Sequence, residues 1–380
     1  MAVAWLVSSN RNNLGTTLKT GLLRIEPRFY SRIWGSRSLL PLYSAEQVRD
    51  GKNGATFPIG EAWLTANECR VAGEAWKGDE APGLRGKTLA EAWQEMPEVW
   101  RGTRMKSEAV FPLLVKFIFP REKLSIQVHP NDSEAALLEP GSKGKTEMWH
   151  VVSADPGAKL LLGLNQGVTA GALREGIAAG DLEGLFRSYS VHEGDTFFVP
   201  AGMPHTIGAN MVICEVQQHS DITYRVYDYA RVDDRGQTRE LHPDKALQVL
   251  KFDGSAGGLV PSVAISAAGE NRTLLLTACR YFAAERWELR TAFNARSDSA
   301  QFDLLTVLSG SGNFKTSDSA ADFRPGECWL VPANLGRYQV NPRGNTVILR
   351  SFVPDLIALR RNLADQQIAD EAIEKVIFDA

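Results

Sequence analysis

Short apolar runs separated by turn-forming residues recur along most of the chain. In the first part of the sequence these runs are "LLVKFIF" (113–119), "LSIQVH" (124–129), "EMWHVV" (147–152), "KLLLGL" (159–164), "TFFVP" (196–200) and "MVICEVQQ" (211–218). Brief runs bounded by Gly, Pro, Asn or Asp are typical of β-strands. So many strands with little between them predict a mainly β fold, a sandwich or barrel, rather than a parallel sheet with crossover helices.

Helical periodicity is confined to a few segments. Apolar spacings of three and four residues predict helices over 88–100, 169–180 and 354–377. Thr169 opens the second of these segments and can act as its N-cap. We therefore expect a few α-helices that flank the β-structure.

A second strand-rich block spans about residues 271–353 and resembles the first. It follows "KFDGSAGGLVPS" (251–262), whose Gly and Ser content is typical of a linker. Within the block, "GECWLVPANLGR" (326–337) repeats the glycine and proline positions of "GDTFFVPAGMPH" (194–205). The repeat predicts a duplicated β-barrel unit.

Composition and charge exclude several kinds of partner. Of 380 residues, 42 are basic and 45 acidic, and this net charge of −3 argues against binding to nucleic acid or a membrane. No run approaches the roughly 18 apolar residues of a membrane span. The length predicts two or three domains. Four widely spaced cysteines favour buried free thiols in a reducing, cytoplasmic environment. Residues 1–24 contain no acidic residue and are expected to form a flexible leader.

The segment "GDTFFVPAGMPH" has the chemistry of a turn that delivers a ligand. Gly194 permits a tight turn before a buried strand, Pro200 fixes the exit, and Gly202 lets the backbone double back. This turn would direct His205 toward the barrel mouth, where ligand sites form. In the second copy Arg337 stands at the equivalent position. We therefore expect the C-terminal barrel to bind no metal.

Other polar residues could join His205. In "LSIQVH", alternation places Ser125, Gln127 and His129 on one face, although a strand with one face in solvent would show the same pattern. Glu147 begins a strand, two residues after Lys145, where surface residues are also common. The combined set offers an amide oxygen, a carboxylate and two imidazoles, which suits a divalent cation, above all Zn²⁺. Its members are Gln127, His129, Glu147 and His205.

Several blocks together resemble a known enzyme family. These blocks are "IGEAWLTA" (59–66), "LSIQVHP", "GKTEMWHVV", "GDTFFVPAGMPH" and "EVQQHSDITYRVYDYAR", and they occur in order over roughly residues 25–250. They resemble the signature blocks of type I mannose-6-phosphate isomerases in the shorter bacterial form. The resemblance implies two cupin-type jelly-roll barrels, the first catalytic. We accordingly divide the chain into a catalytic metal-binding domain (25–252) and a degenerate cupin domain with a terminal helix (253–380).

The resemblance also implies roles for particular residues. It implies one Zn²⁺ per chain, held by Gln127, His129, Glu147 and His205. It implies that Ser125, Lys145 and Arg225 bind the phosphate of a hexose phosphate or stabilise charge, and that Glu215 lies near the reacting carbons. The implied reaction interconverts mannose 6-phosphate and fructose 6-phosphate through an enediolate.

The reaction needs a group that moves a proton between two carbons. We favour Glu215, because it shares a strand face with Ile213 and Gln217 and a carboxylate in a mostly apolar cleft would have its pKa raised toward neutrality. A metal-bound water or His205 remains an alternative. The sequence decides neither the base nor the oligomeric state, and it leaves the roles of His150 and His219 open.

Two other functions fit the sequence less well. A catalytically inactive cupin that senses or binds sugar phosphates could have lost Lys145, Arg225 or Glu215, but all three are present. A cupin dioxygenase or storage-type protein would need a His-x-His pair, where this chain has Gln127 and His129. An isomerase is therefore the favoured function.

Overall fold

The computed structural model describes residues 21–49, 56–72, 83–233, 235–252, 257–317 and 319–379. Most of the expected leader lies outside these residues. The helices are α1 (Ala45–Arg49), α2 (Leu89–Glu95), α3 (Glu98–Arg101), α4 (Asp132–Leu138), α5 (Ala170–Ala179), α6 (Pro243–Val249), α7 (Leu356–Asp365) and α8 (Asp370–Glu374). None of the described helices is both long and apolar enough to span a membrane.

Strands dominate the chain. The first fourteen are β1 (Leu23–Glu26), β2 (Arg28–Ser36), β3 (Ile59–Trp63), β4 (Arg70–Val71), β5 (Leu113–Ile118), β6 (Ile126–Val128), β7 (Glu147–Ala154), β8 (Lys159–Leu164), β9 (Phe186–Ser190), β10 (Thr196–Val199), β11 (His205–Ile207), β12 (Met211–Gln218), β13 (Tyr224–Tyr227) and β14 (Gly258–Leu259). The others are β15 (Val263–Ala268), β16 (Asn271–Ala278), β17 (Ala283–Leu289), β18 (Phe293–Arg296), β19 (Asp303–Ser309), β20 (Gly312–Lys315), β21 (Ala320–Phe323), β22 (Cys328–Val331), β23 (Arg337–Pro342) and β24 (Thr346–Phe352).

The predicted elements are present, and two predicted helices are each broken. The segment 88–100 forms α2 and α3 because Pro97, between them, has no N–H to continue the first helix. The tail forms α7 and α8, separated where Gln367 adopts a φ of 62°. The 169–180 segment forms α5, and the Thr169 side chain accepts a hydrogen bond from the backbone N–H of Ala172 as its N-cap.

Four sheets form two cupin-like units, so the mainly β fold is confirmed. In the first unit a seven-stranded sheet has the order β14-β10-β7-β12-β5-β3-β2 and a five-stranded sheet the order β13-β6-β11-β8-β9. In the second unit an eight-stranded sheet has the order β15-β16-β17-β24-β19-β22-β1-β4 and a four-stranded sheet the order β18-β23-β20-β21. The strands pair antiparallel throughout these sheets.

Alternation along the strands assigns each side chain to one of the layers between sheets. In β7, Trp149 packs between the two sheets of the first unit, whereas Met148 faces the second unit. In β12, Ile213 and Cys214 divide in the same way. The interior of the first unit is thus lined by every second residue of its strands.

The two units are joined by a continuous apolar layer. Residues of β5, β7 and β12 pack there against residues of β19, β22 and β24, such as Leu304, Leu330 and Leu349. All four cysteines lie in this layer as buried free thiols. Strand pairing also links the two units. β1, near the start of the chain, pairs with β22 of the second unit, and β14, within the expected linker, pairs with β10 of the first unit.

Helices cover the outer face of the five-stranded sheet. Leu173 of α5 and Val249 of α6 pack against Ile126 and Val128 of β6. Because Ile126 and Val128 face these helices, the residue between them, Gln127, faces the interior of the first unit.

Candidate metal and substrate site

Ligand side chains from three strands converge inside the first unit. His205 of β11 is paired with Gln127 of β6, and Glu147 lies at the start of β7. One ligand atom from each of His129, Glu147 and His205 lies within 4.8 Å of the others, and all three side chains are buried. Within the described part of the chain, these residues form the one group of three His, Cys, Asp or Glu side chains close enough to hold a metal ion.

The turn before His205 has the geometry that its sequence predicts. Gly202 has a φ of 84°, and the N–H of Met203 donates to the carbonyl of Pro200 over 3.1 Å. The Gly202 N–H also donates to the His129 carbonyl over 2.8 Å. This turn therefore positions two of the candidate ligands. His205 follows it directly in the sequence, and His129 is held by the hydrogen bond from Gly202.

Backbone carbonyls orient both imidazole rings. His129 Nδ1 lies 2.7 Å from the carbonyl oxygen of Ile222, and His205 Nδ1 lies 2.9 Å from that of Met203. A carbonyl only accepts, so in each neutral ring Nδ1 carries the proton and Nε2 carries the lone pair. Burial holds the pKa of His129 well below its usual range and lowers that of His205 to about 3. Both rings are therefore in the form that binds metal.

The ligand atoms of the histidines face Glu147. Its Oε1 lies 3.3 Å from His205 Nε2 and 3.7 Å from His129 Nε2. Lys145 Nζ lies 2.9 Å from Glu147 Oε2 and 3.0 Å from His129 Nε2. Burial, and then the charge of Glu215, raise the pKa of Glu147 to about 7. A bound divalent cation would lower the pKa of Glu147 again, because its positive charge stabilises the ionised carboxylate.

Gln127 and Ser125 extend the cluster along β6. The Gln127 amide nitrogen lies 3.3 Å from His205 Nε2, and its oxygen lies 3.4 Å from Ser125 Oγ. Turning the amide over would direct Oε1 to His205 Nε2 and present the nitrogen to the serine. The structure therefore brings all four candidate ligands, with Ser125 and Lys145, into one group.

Arg225 adjoins this group from the neighbouring strand. It is paired with Gln127 in the β6–β13 ladder, so that the two side chains lie on the same face. Its Nη1 donates to the carbonyl of Glu240 over 2.7 Å, and its buried Nε has no hydrogen-bond partner. The Arg225 N–H donates to Nδ1 of His242 over 3.2 Å, and the His242 N–H donates to the carbonyl of Arg225 over 2.7 Å, so the residue before α6 holds the backbone of Arg225.

Glu215 lies on the same interior face, but the expected rise in its pKa is wrong. Its Oε1 lies 2.9 Å from Lys116 Nζ, and Oε2 accepts a hydrogen bond from Trp149 Nε1 over 3.0 Å. Burial alone would raise the pKa of Glu215, but Lys116 and Lys145 together lower it below its ordinary value. The cleft at this position is charged rather than apolar, and Glu215 is ionised.

The sequence analysis did not identify the group of buried, ion-paired residues that includes Lys116. This lysine is buried in β5, where its Nζ also lies 3.9 Å from Glu61 Oε1 and 5.3 Å from the centre of the Trp63 ring. Burial alone would lower the pKa of Lys116, but Glu215 and Glu61 raise it above the ordinary lysine value. The signal that could have revealed this buried ion-paired group was a single lysine within the otherwise apolar run "LLVKFIF".

Neither of the two unassigned histidines belongs to the ligand cluster. His150 follows Trp149 in β7 and so faces the opposite side of the sheet, where its Nδ1 lies 3.0 Å from Thr196 Oγ1. Burial lowers the pKa of His150 to about 3 and that of His219 below its usual range. Both are therefore neutral side chains outside the cluster.

The arrangement is suited to holding a divalent cation beside an anionic substrate. Both oxygens of the buried Glu147 lack a hydrogen bond of good geometry, and both imidazoles direct Nε2 to them. A mixed set of nitrogen and oxygen ligands, with each histidine fixed by a backbone carbonyl, fits zinc or a similar ion. Lys145 and Arg225 supply positive charge at the edge of the set.

Comparison with known proteins agrees with this geometry. The family model for phosphomannose isomerase type I, catalytic domain, matches residues 22–147, and that for mannose-6-phosphate isomerase, cupin domain, matches residues 271–353. The probable mannose-6-phosphate isomerase GmuF of Bacillus subtilis is 34% identical over 324 residues, which cover 84% of this chain and 95% of that protein. Mannose-6-phosphate isomerase ManA of the same organism is 31% identical over 343 residues, covering 87% and 99%.

Solved structures show the same fold. The mannose 6-phosphate isomerase from Bacillus subtilis superposes with a TM-score of 0.75 at 29% identity and covers 87% of this chain and 99% of that one. A putative mannosephosphate isomerase from Archaeoglobus fulgidus, at 19% identity, shares the fold with a TM-score of 0.66 over 89% and 99% of the two chains. With relatives above 30% identity along most of its length, the chain belongs to the family of type I phosphomannose isomerases.

Proposed function

We propose that this chain is a zinc-dependent isomerase that interconverts mannose 6-phosphate and fructose 6-phosphate. The observation that carries the proposal is the buried group of His129, Glu147 and His205 beside Lys145, in a chain of this family. Residues 25–252 would carry the reaction, and residues 253–380 would form a cupin unit without catalytic residues.

The metal would be held by Gln127, His129, Glu147 and His205. When bound, a zinc ion supplies a Lewis acid that stabilises negative charge on a substrate oxygen. The carboxylate oxygens of Glu147, which accept no hydrogen bond of good geometry, and the Nε2 lone pairs of His129 and His205 are the donors that such an ion needs.

The surrounding cations would orient the substrate and stabilise the enediolate. Lys145 is buried beside the ligands, and Arg225 offers a guanidinium whose Nε has no protein partner. Ser125 can donate a hydrogen bond to a phosphate or sugar oxygen. Because these charges are fixed before the reaction, they stabilise the developing negative charge without reorganisation.

Glu215 would move the proton between the two carbons. As a carboxylate it accepts the proton from C2 of the aldose, and the electron pair forms the C1–C2 double bond while the charge moves to O1. The proton of the O2 hydroxyl then passes to O1, and Glu215 returns its proton to C1 to give the ketose. Lys116, 2.9 Å away, keeps Glu215 ionised at the start of this cycle.

A coupled assay of fructose 6-phosphate formation before and after chelation tests the proposal. We expect activity that disappears with a chelator and returns with zinc. Turnover that is insensitive to chelation would contradict the metal requirement. Sugar-phosphate binding without turnover in the zinc-loaded protein would instead support an inactive sensor.

Arg225→Ala tests the substrate site independently of the metal. We expect its activity to fall by about 100-fold or more, since a charged contact is lost at the reacting centre, while the bound zinc is retained. Unchanged kinetics would remove Arg225 from the site. A loss of zinc would show that the residue supports the ligands rather than the substrate.

A further inference from the structure

Lys145 and Glu147 lie on a segment that has little regular structure of its own. Residues 142–146 belong to neither a helix nor a strand, and β7 begins only at Glu147. The segment nevertheless carries two of the groups assigned to the site, with Lys145 Nζ 2.9 Å from Glu147 Oε2. Because a metal ligand and a buried cation must keep fixed positions, other parts of the chain have to hold this backbone.

Gln218, the last residue of β12, holds the backbone of Thr146, which lies between Lys145 and Glu147. The Thr146 N–H donates to Gln218 Oε1 over 2.8 Å, and the Gln218 N–H donates to the Thr146 carbonyl over 3.2 Å. Both residues are buried. The side chain of Gln218 thus accepts the hydrogen bond that a backbone carbonyl would accept in a regular antiparallel ladder.

The amide of Gln218 is in turn fixed by Asp132 at the start of α4. Gln218 Nε2 donates to Asp132 Oδ1 over 3.0 Å, and the Gly144 N–H donates to the same oxygen over 2.8 Å. Gly144 packs so closely here that a Cβ on it would lie 2.5 Å from the backbone nitrogen of Asp132. Asp132 therefore holds the segment directly at Gly144 and, through Gln218, at Thr146.

The other oxygen of Asp132 accepts a hydrogen bond from the second unit. Tyr281, in the connection between β16 and β17, donates from its hydroxyl to Asp132 Oδ2 over 2.6 Å. The guanidinium carbon of Arg280 lies 4.6 Å from the centre of the Tyr281 ring, and its Nη2 lies 3.6 Å from Asp132 Oδ2. Burial alone would raise the pKa of Asp132, but the hydrogen bond from Tyr281 and those from the first unit lower it below its ordinary value. Asp132 is thus an ionised carboxylate that is bonded at both oxygens.

We propose that Tyr281, acting through Asp132 and Gln218, positions the segment that carries Lys145 and Glu147. This inference rests on the proposed function, because it takes the roles of Lys145 and Glu147 from it. It makes Tyr281 a positioning residue, supplied by a unit whose described residues include no group of metal ligands. The second unit therefore contributes to the geometry of a site that lies in the first.

Tyr281→Phe removes only the hydroxyl at the far end of this series of hydrogen bonds. We expect the zinc affinity, and the kcat of the zinc-saturated chain, each to fall by about 3- to 10-fold, less than the roughly 10- to 100-fold cost of losing a direct partner of a metal ligand. In the metal-free chain, the amide hydrogens of residues 142–147 should exchange faster by mass spectrometry. Tyr30→Phe is the matched control and should leave all three measurements unchanged, because Tyr30 also donates to a carboxylate, that of Glu68, and also lies under an arginine, Arg32.

Two substitutions at Asp132 separate positioning from charge. Asp132→Ala removes the acceptor for Gly144 and Gln218, and we expect zinc affinity to fall by about 10- to 100-fold. Asp132→Asn loses the same charge but keeps an oxygen for these two N–H groups. It should therefore retain zinc affinity within about threefold of wild type, since a neutral acceptor replaces a charged one.

A double-mutant cycle tests whether Tyr281 acts through Asp132. Asp132→Ala combined with Tyr281→Phe should bind zinc as tightly as Asp132→Ala alone, because the hydroxyl then has no carboxylate to fix. Competition with a chromophoric chelator measures the four affinities. Additive losses in the double variant would overturn the proposal, and so would equal losses in Asp132→Asn and Asp132→Ala. Faster exchange in Tyr281→Phe with unchanged zinc affinity and kcat would reduce Tyr281 to a purely structural contact.

Failure of the proposed function would be recognised separately. If the wild-type chain does not isomerise mannose 6-phosphate, zinc affinity still compares the variants, and if it binds no zinc, hydrogen exchange of residues 142–147 does so. Faster exchange in Tyr281→Phe than in Tyr30→Phe would then support the positioning role, and equal rates would overturn it.

Discussion

Lys116 sets the charge state of the residue that would carry the proton. Its ammonium group and the Glu215 carboxylate are both buried, 2.9 Å apart. Removing one member of a buried pair leaves the other charge without compensation, which is more damaging than removing both.

We therefore expect Lys116→Met to destabilise the fold by about 3–5 kcal/mol. The double variant Lys116→Met with Glu215→Gln should recover part of this loss, because no lone carboxylate remains. Urea unfolding of the two single variants and the double variant measures the coupling. Strict additivity of the two single changes would show that Lys116 and Glu215 do not act as a pair.

His205 and His150 provide a matched pair of histidines for testing the metal site. Both are buried, but His205 faces Glu147 and His150 hydrogen-bonds Thr196 on the opposite side of β7. We expect His205→Ala to lower zinc affinity by more than about 100-fold, since a ligand matters more than an outer partner. His150→Ala should retain one zinc per chain in elemental analysis after dialysis. Retention of stoichiometric zinc by His205→Ala would show that the ligand set is wrong.

At the level of the elements, the Pro200–Gly202 turn connects the fold to the site. Gly202 has a positive φ, and a Cβ there would lie 2.8 Å from Lys251 Cγ and 2.9 Å from the Val249 carbonyl oxygen. Gly157 has nearly the same φ of 85° but has nothing within 4 Å of the equivalent Cβ position. Substitutions at the two glycines therefore separate the stability cost of a side chain at positive φ from the cost of steric crowding.

We expect Gly157→Ala to cost about 1 kcal/mol, the ordinary penalty for a side chain at positive φ. Gly202→Ala should cost clearly more and should also weaken zinc binding, because its N–H fixes the His129 carbonyl and its turn leads to His205. Thermal unfolding and zinc titration of the two variants check this. Equal stability losses with unchanged zinc affinity would contradict the role given to the turn.

The strands also show which features of the site could be predicted from the sequence. Alternation in "LSIQVH" and the glycine-proline turn predicted which side chains face the interior, because both are local properties of the chain. The pKa of Glu215 could not be predicted in this way. It depends on the pairing of β12 with β5, which places Glu215 opposite Lys116.

Local irregularities set a second limit on prediction from sequence. The contact between Arg187 and Gly163 falls at an irregularity in the register of β8 and β9, which simple alternation along the strands does not predict. Helical periodicity continues through Pro97, where the helix itself ends. Residue type gave the candidate ligands, whereas cross-strand register determined what each of them contacts.

On the scale of the whole molecule, the described residues of the second unit place an ion-paired arginine, and no group of metal ligands, in the interior. Arg350 of β24 is paired with Glu285 and Leu305, as Glu215 of β12 is paired with Lys116 and Trp149. Arg350 Nη1 lies 3.1 Å from Glu285, and Nη2 lies 2.9 Å from Asp303. In the interior of the second unit, the carboxylates of Glu285 and Asp303 are thus neutralised by the guanidinium of Arg350.

We predict that Arg350→Met destabilises the fold by about 3–5 kcal/mol, because Glu285 and Asp303 lose their buried partner. The exposed pair of Arg343 and Asp322 is the control, and Arg343→Met should change stability by less than about 1 kcal/mol. Folded Arg350→Met should keep one zinc per chain and a KM within about twofold of wild type, since this arginine acts on the packing of the second unit. A zinc stoichiometry of two in the wild type, or a selective loss of substrate affinity in Arg350→Met, would instead place a functional site in the second unit.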